Sequence, residues 1–299
     1  MKETHMTTVA VIGLGIMGAP MATNLVTAGF DVIGYNRSPH KGGRLVAVGG
    51  RTASGLAKAV RGADVVLTML PDSPDVEEVV LGDQGVLAFA APGTLLIDAS
   101  TIRPDVSVRI ADAAAARGIR AVDAPVSGGE AGAVEGNLSI MVGGEEADVE
   151  AARPVLNAVG STVVHVGPSG SGQTVKAANQ LIVAGTIGLV AEALVFLEAH
   201  GVDTKGAVQV LAGGLAGNRI LDRKATSMLA RDFQPGFRVD LHHKDLGIVI
   251  SAAREAGVAT PLGAVVAQLM GALRANGHGS LDHSALLLMI EQLSGRIHA

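Results

Sequence analysis

Short β-branched apolar runs alternate with alanine-rich stretches of helical length through the first 167 residues. The runs are Val9–Ile12, Asp31–Tyr35, Asp64–Leu70, Thr94–Asp98, Ile119–Asp123, Leu138–Val142 and Thr162–Val166. Between them lie segments such as Pro104–Arg117 and Glu146–Ala158. Near-continuous apolar strands alternating with helices predict a mostly parallel, doubly wound sheet covered on both faces. The last two runs lie close enough for one of them to pair antiparallel. The texture changes after Gly167-Pro168-Ser169-Gly170-Ser171-Gly172, and no strand pattern follows. Gln173 to about His200 reads as one long helix ended by Gly201. Further helices are predicted at Thr204–Leu211, Ile220–Ala230, Leu241–Ala256, Pro261–Asn276 and His283–Leu293. The expectation is therefore an α/β domain over 1–168 and an all-helical domain over 169–299.

Composition narrows the partners. Hydrophobic residues make up 48% of the chain, which excludes global disorder. A net charge of −5 with mixed signs removes the electrostatic case for nucleic acid. The absence of cysteine excludes disulfides, thiolate metal sites and a cysteine nucleophile. Residues 1–8 are polar and lack the apolar core of a signal peptide, with Met6 as a second candidate start. The most apolar stretch, Leu181–Ala191, is interrupted by Thr186 and closed by Glu192. Its eleven residues are too few to span a bilayer, so a buried helix in a cytoplasmic protein without a membrane partner is expected. The helical half still carries more apolar surface than one sheet domain covers, which predicts a homodimer or homotetramer joined through it.

Candidate chemistry begins at the first strand. Val9–Ile12 runs directly into Gly13-Leu14-Gly15-Ile16-Met17-Gly18 and then a helix reaching Ala28. In such a turn Gly13 allows the tight bend, Gly15 admits a pyrophosphate to the backbone, and Gly18 lets helix and strand pack closely. The helix N-terminus adds unpaired N–H groups and a favourable dipole. A strand before and a helix after supply the context this turn needs, so a nicotinamide dinucleotide is the expected cofactor. The second strand ends at Tyr35-Asn36-Arg37-Ser38, with no acid for the ribose hydroxyls. Asp31 lies at the far end of that strand, about 15 Å away at ~3.3 Å per residue. Arg37, with Asn36 and Ser38, suits a 2′-phosphate. NADP(H) is therefore favoured, with NAD(H) the alternative if Arg37 only stacks on the adenine.

Three more runs sit at predicted C-terminal strand ends: Met69-Leu70-Pro71, Asp98–Thr101 and Asp123–Gly129. Each is read either as turn chemistry or as part of a shared ligand crevice. Lys176 precedes Asn179 and Gln180 by three and four residues, so the ammonium and amide share one helix face. The lysine is either solvated at the helix edge or semi-buried in a cleft. The adjacent His242 and His243 point about 100° apart on a helix and make a poor metal pair. They are expected at a surface or interface, no metal site is expected, and with His165 they are the rival to Lys176 as the side chain carrying the chemistry.

Taken together, the glycine turn, Asp123-Ala-Pro-Val-Ser-Gly-Gly129, Gly170-Ser-Gly-Gln-Thr-Val-Lys176-Ala-Ala-Asn179 and Lys244-Asp-Leu246 resemble the β-hydroxyacid dehydrogenases. The resemblance covers nearly the whole chain, in order. It implies Lys176 as the catalytic acid/base and Ser127, Gly128 and Gly129 as the loop holding a substrate carboxylate. It also implies Asn179 as an amide orienting the substrate, with Gln180 beside it where some members carry a second asparagine. Met69, Leu70, Pro71 and Thr101 would contact the cofactor, with Lys244 on its side near the cleft. Asn179–Ala184, Gly213–Gly217, Phe233–His242 and Asp282–Ala285 are most similar to the branch reducing 2-hydroxy-3-oxopropionate (tartronate semialdehyde). The implied activity is its reduction to D-glycerate; a 3-hydroxyisobutyrate dehydrogenase or related enzyme is the alternative. A cofactor-binding protein without turnover is a more remote one.

Overall fold

A computed structural model describes residues 6–296, so the reading of the chain start lies outside it for residues 1–5. The chain divides into two compact units, Met1–Lys176 and Ala177–Ala299.

Among the described residues the first unit contains nine strands: β1 Thr8–Ile12, β2 Asp31–Tyr35, β3 Arg51–Thr52, β4 Val65–Thr68, β5 Leu95–Asp98, β6 Arg120–Asp123, β7 Val126–Ser127, β8 Leu138–Gly143 and β9 Gly160–Gly167. Its helices are α1 Gly18–Thr27, α2 Gly43–Ala47, α3 Leu56–Val60, α4 Ser73–Leu81, α5 Val86–Phe89, α6 Pro104–Ala115, α7 Gly129–Glu135 and α8 Glu146–Asn157. The sheet runs β3-β2-β1-β4-β5-β6-β8-β7, with β9 against β8. Successive side chains of a strand point to opposite faces. Val9, Val11, Val65, Leu67, Leu95 and Ile97 accordingly enter one core, while Ala10, Ile12, Val66 and Leu96 enter the other. Two buried faces explain why these strands read as unbroken apolar runs. The expected antiparallel strand is β8, which opposes β6 and β7, whereas β9 runs parallel to β8. The two-residue strands β3 and β7 escaped the sequence pattern because a period of two needs more residues to show.

The long helix α9 spans Ser171–Ala199 and so starts within the first unit. Hydrogen bonds from Gly170 and Gln173 to the sheet hold its first turns there. The second unit continues with α10 Thr204–Ala212, α11 Arg219–Ala230, α12 Val239–Glu255, α13 Pro261–Leu273 and α14 Leu286–Leu293. Ala184, Ile187, Ala191 and Leu194 bury one stripe of α9 against Leu221, Met228, Leu246, Met270 and Leu286.

Leu181–Ala191 lies, as read from the sequence, within one long helix, α9. Over an 18-residue window the mean hydropathy of this 29-residue helix reaches 2.0, enough by length and composition to cross a membrane, and 44% of that window is buried because α9 packs a single stripe inward. One expectation is corrected here: His242 is not a surface residue but wholly buried, with its ring against His283 and Phe237.

Candidate active site

The parallel strands β1, β4, β5 and β6 end at one edge of the sheet, and the chain reverses direction across the sheet between β1 and β4. Crevices outside the carboxyl ends at such a switch point are the usual ligand position in open α/β sheets. Gly13 has φ +103°, a conformation L side chains rarely adopt, and a Cβ on it would collide with the Met69 carbonyl. A Cβ on Gly18 would strike the Gly13 carbonyl, so α1 abuts the turn. At Gly15 a Cβ would meet nothing within 4 Å. The turn is therefore tight below and open above, and it fits a pyrophosphate approaching the backbone and the start of α1. Ile16 is exposed beside that opening, and Met17 takes the helix-cap position.

Asn36 acts on the turn from the end of β2. Its Oδ1 accepts the Leu14 N–H at 2.9 Å and its Nδ2 donates to the Ser38 carbonyl at 3.2 Å. Arg37 is exposed and next to it, with exposed Lys41 and Arg44 following within seven residues. Asp31 is held by Arg51 at 2.5 Å at the opposite end of β2, which removes it from the ribose position. Leu70 donates its N–H to Ser100 Oγ at 2.9 Å, joining the Met69–Pro71 turn to the loop bearing half-buried Thr101; Pro71 is exposed.

Ser127 of β7 pairs with Ser139 of β8, and Gly128 and Gly129 follow with φ of 143° and 67°. Both glycines have positive φ, a conformation L side chains rarely adopt, so this turn exposes backbone free of side-chain bulk. Lys176 lies in the second turn of α9 and is buried, 7% exposed, which decides against a lysine solvated at the helix edge. Two residues that sequence reasoning left without a role hold the start of that helix. Asp123 accepts the N–H groups of Gly170 and Gln173, and the Gln173 amide bonds the backbone of Ser100 and Ile102. An acid ending a strand and a glutamine inside a helix carry no sequence signal for partners 47 to 73 residues away.

In the second unit, Gln180 is buried and both ends of its amide are engaged. Its Oε1 accepts from Asn179 Nδ2 at 2.8 Å, and its Nε2 donates to Asp245 Oδ2 at 2.5 Å. Lys244 Nζ lies 2.8 Å from Asp245 Oδ1. The structure thus joins Asn179, Gln180, Asp245 and Lys244 in one chain of polar contacts. No group of three or more potential metal-ligating side chains occurs among the described residues.

Comparison with known proteins agrees with this geometry. Residues 8–167 match the NAD-binding domain of 6-phosphogluconate dehydrogenase, and residues 170–290 match the NAD-binding family of NADP-dependent 3-hydroxyisobutyrate dehydrogenase. A 2-hydroxy-3-oxopropionate reductase of Escherichia coli is 40% identical over 283 residues, covering 95% of this chain and 97% of the relative. An NAD-dependent L-serine dehydrogenase of Pseudomonas aeruginosa is 38% identical, covering 96% and 99%. The solved 3-hydroxyisobutyrate dehydrogenase of Mycobacterium tuberculosis with L-serine is 38% identical, with a TM-score of 0.85 and coverage of 94% and 98%. With its dinucleotide turn at the sheet edge and a buried lysine on the helix that follows, the chain belongs to the β-hydroxyacid dehydrogenase family, NAD(P)-dependent oxidoreductases acting on hydroxyl groups.

Proposed function

We propose that this enzyme reduces 2-hydroxy-3-oxopropionate to D-glycerate, with NADP(H) preferred over NAD(H). The observation carrying this reading is a buried lysine whose helix is fastened to the ends of β5 and β6, on the same edge of the sheet as the dinucleotide turn after β1. Identity of 40% to a reductase of that substrate supports the substrate assignment.

Gly13 to Gly18 would hold the pyrophosphate, with Met69, Leu70, Pro71 and Thr101 lining the cofactor's path and Lys244 assigned to its side by the family resemblance. Exposed Arg37 and half-buried Ser38 would meet the 2′-phosphate. Asn36 contributes indirectly, since its oxygen already fixes the Leu14 amide. When bound, the nicotinamide supplies the hydride to the aldehyde carbon. The Ser127 hydroxyl and the Gly128 and Gly129 amides bind the carboxylate two carbons away. Asn179 orients the substrate, and Gln180 holds Asn179 from behind. The Lys176 ammonium donates a hydrogen bond to the aldehyde oxygen and passes it a proton as the C–H bond forms, leaving a primary alcohol and a neutral amine. In oxidation the same amine takes the proton back.

A Lys176→Ala variant is expected to lose roughly two to four orders of magnitude in kcat, the usual worth of a placed acid/base. Retention of near-parental kcat with intact cofactor binding would overturn the assignment. The second reading, oxidation of a β-hydroxyacid such as 3-hydroxyisobutyrate or L-serine, is favoured by the serine dehydrogenase relative. A panel of tartronate, methylmalonate and succinate semialdehydes, against NADPH and NADH, separates the readings by kcat/KM when run beside oxidation of L-serine and 3-hydroxyisobutyrate.

A further inference from the structure

Asp123 opens the Asp123–Gly129 run, and Gln173 stands three residues before Lys176, yet the proposed chemistry gives neither a task. Both are buried. Asp123 Oδ1 accepts the Gly170 N–H at 2.7 Å and its Oδ2 accepts the Gln173 N–H at 2.9 Å. The first amides of a helix lack intrahelical partners, and a carboxylate there also meets the positive end of the dipole. Gln173 closes a second pair: its Nε2 donates to the Ser100 carbonyl at 2.8 Å, and its Oε1 accepts the Ile102 N–H at 3.1 Å. Four bonds thus tie the first turn of α9 to the ends of β5 and β6.

The seat has no slack. A Cβ on Gly143, the register partner of Asp123, would come 2.5 Å from Asp123 Oδ1, and one on Gly172 would come 2.8 Å from its Oδ2. Asp98 stands opposite Asp123 in the register of β5 and β6. Burial raises the pKa of both carboxyls, and the Asp123 charge raises Asp98 further. Asp98 Oδ2 has no hydrogen-bond partner among the described residues.

We propose that Asp123 and Gln173 are positioning residues for the reaction, fixing the axial height and rotation of α9 and so the point at which Lys176 Nζ meets the substrate oxygen. Lys176 follows Gln173 by three residues, about 4.5 Å along the axis and ~60° round it. A one-residue slip of the helix would swing the lysine by about 100°. The inference rests on the acid/base reading of Lys176.

The test uses the full-length enzyme with Asp123→Asn, which turns an amide donor toward one of the two N–H groups, and Gln173→Glu, which faces an oxygen toward the Ser100 carbonyl. Each is expected to lower kcat roughly 10- to 100-fold, the scale of a misplacement of about 1 Å, with substrate KM and NADPH Kd within about twofold of the parent. The isotope effect on kcat with NADPH deuterated at C4 should rise as hydride transfer becomes limiting. Amide exchange over residues 170–176 should quicken about tenfold or more, while the rest of the chain keeps its protection. A folded variant with kcat within twofold of the parent overturns the proposal, as does a loss carried wholly by KM or NADPH Kd. Should Asp123→Asn not fold, Gln173→Glu, which keeps the Ile102 bond, decides. Lys176→Ala is measured in parallel: parental kcat there overturns the acid/base reading itself, whereas a dead Lys176→Ala beside a normal Gln173→Glu overturns only the positioning role.

Discussion

Asn36 shows how a residue can belong to a cofactor site without its side chain being available to the cofactor. Its oxygen is committed to the Leu14 amide and its nitrogen to the Ser38 carbonyl, so it shapes the glycine turn rather than the adenosine pocket. Arg37, exposed beside it, is left as the cation placed for a 2′-phosphate. Arg37→Ala should therefore reduce kcat/KM for NADPH roughly 10- to 100-fold, matching the ~1.5–3 kcal/mol of a charged hydrogen bond, and leave NADH nearly unchanged. An NADPH-to-NADH ratio within twofold of the parent would refute the assignment, and a further fall in Arg37→Ala/Arg44→Ala would show that the loop shares the load. The glycine turn was legible in the sequence because its glycines answer to local constraints: a positive φ at Gly13 and a close contact at Gly18. Asp123, Gln173 and Asp245 were not, since each acts through partners 47 or more residues away.

At the scale of elements, strands and helices were legible wherever a face is buried, and errors arose where tertiary contacts set the outcome. His242 on α12 is the clearest case, because a histidine on a polar stretch reads as exposed until its partner is known. Its Nε2 lies 3.2 Å from the Gln180 carbonyl, which can only accept, so Nε2 carries the proton. Nδ1 of a neutral His242 then accepts from His283 Nδ1 at 2.9 Å. Burial and the neighbouring His242 push the His283 pKa well below its ordinary value. Burial also works against the charge on Asp282, but the adjacent His283, Lys224 bonded at 2.8 Å, and Ser284 together outweigh it and hold that carboxyl low. A histidine whose folded pKa is depressed takes up a proton on unfolding once the pH drops below its unfolded value. Stability should thus fall by about 1.4 kcal/mol per pH unit below ~6.5 on account of His283, until its much lower folded pKa is reached. Urea midpoints between pH 7.5 and 5.5 measure the slope, and His283→Gln should flatten it. The buried Asp98 and Asp123, with raised values, act in the opposite direction, so the difference between parent and variant is the informative quantity. Equal slopes in the two proteins would sink the account.

For the whole molecule, the question is what covers the outer side of α9. Ile182, Leu189 and Phe196 recur every seven residues, and each is more than 60% exposed while the opposite stripe of the helix is buried. Leu262 and Val265 on α13, and Leu293 at the end of α14, are exposed in the same unit. A seven-residue repeat keeps its side chains on one face over four turns, the spacing used by helices that pack along their length. Burying one such side chain is worth about 1.5–3 kcal/mol, so covering a stripe of three on each of two protomers favours association. We propose that a second copy of this chain covers the stripe in an isologous interface, giving a dimer or a tetramer built from it. Light scattering at micromolar concentration should return a multiple of the 30.1 kDa chain. Leu189→Glu/Phe196→Glu, which places two charges in the stripe and leaves the buried side of α9 intact, should return the single-chain mass with the nicotinamide turn still binding cofactor. A parent protein that is monomeric at that concentration overturns the proposal. So does one that sediments with lipid vesicles instead of self-associating, since the hydropathy of α9 would then be serving a bilayer.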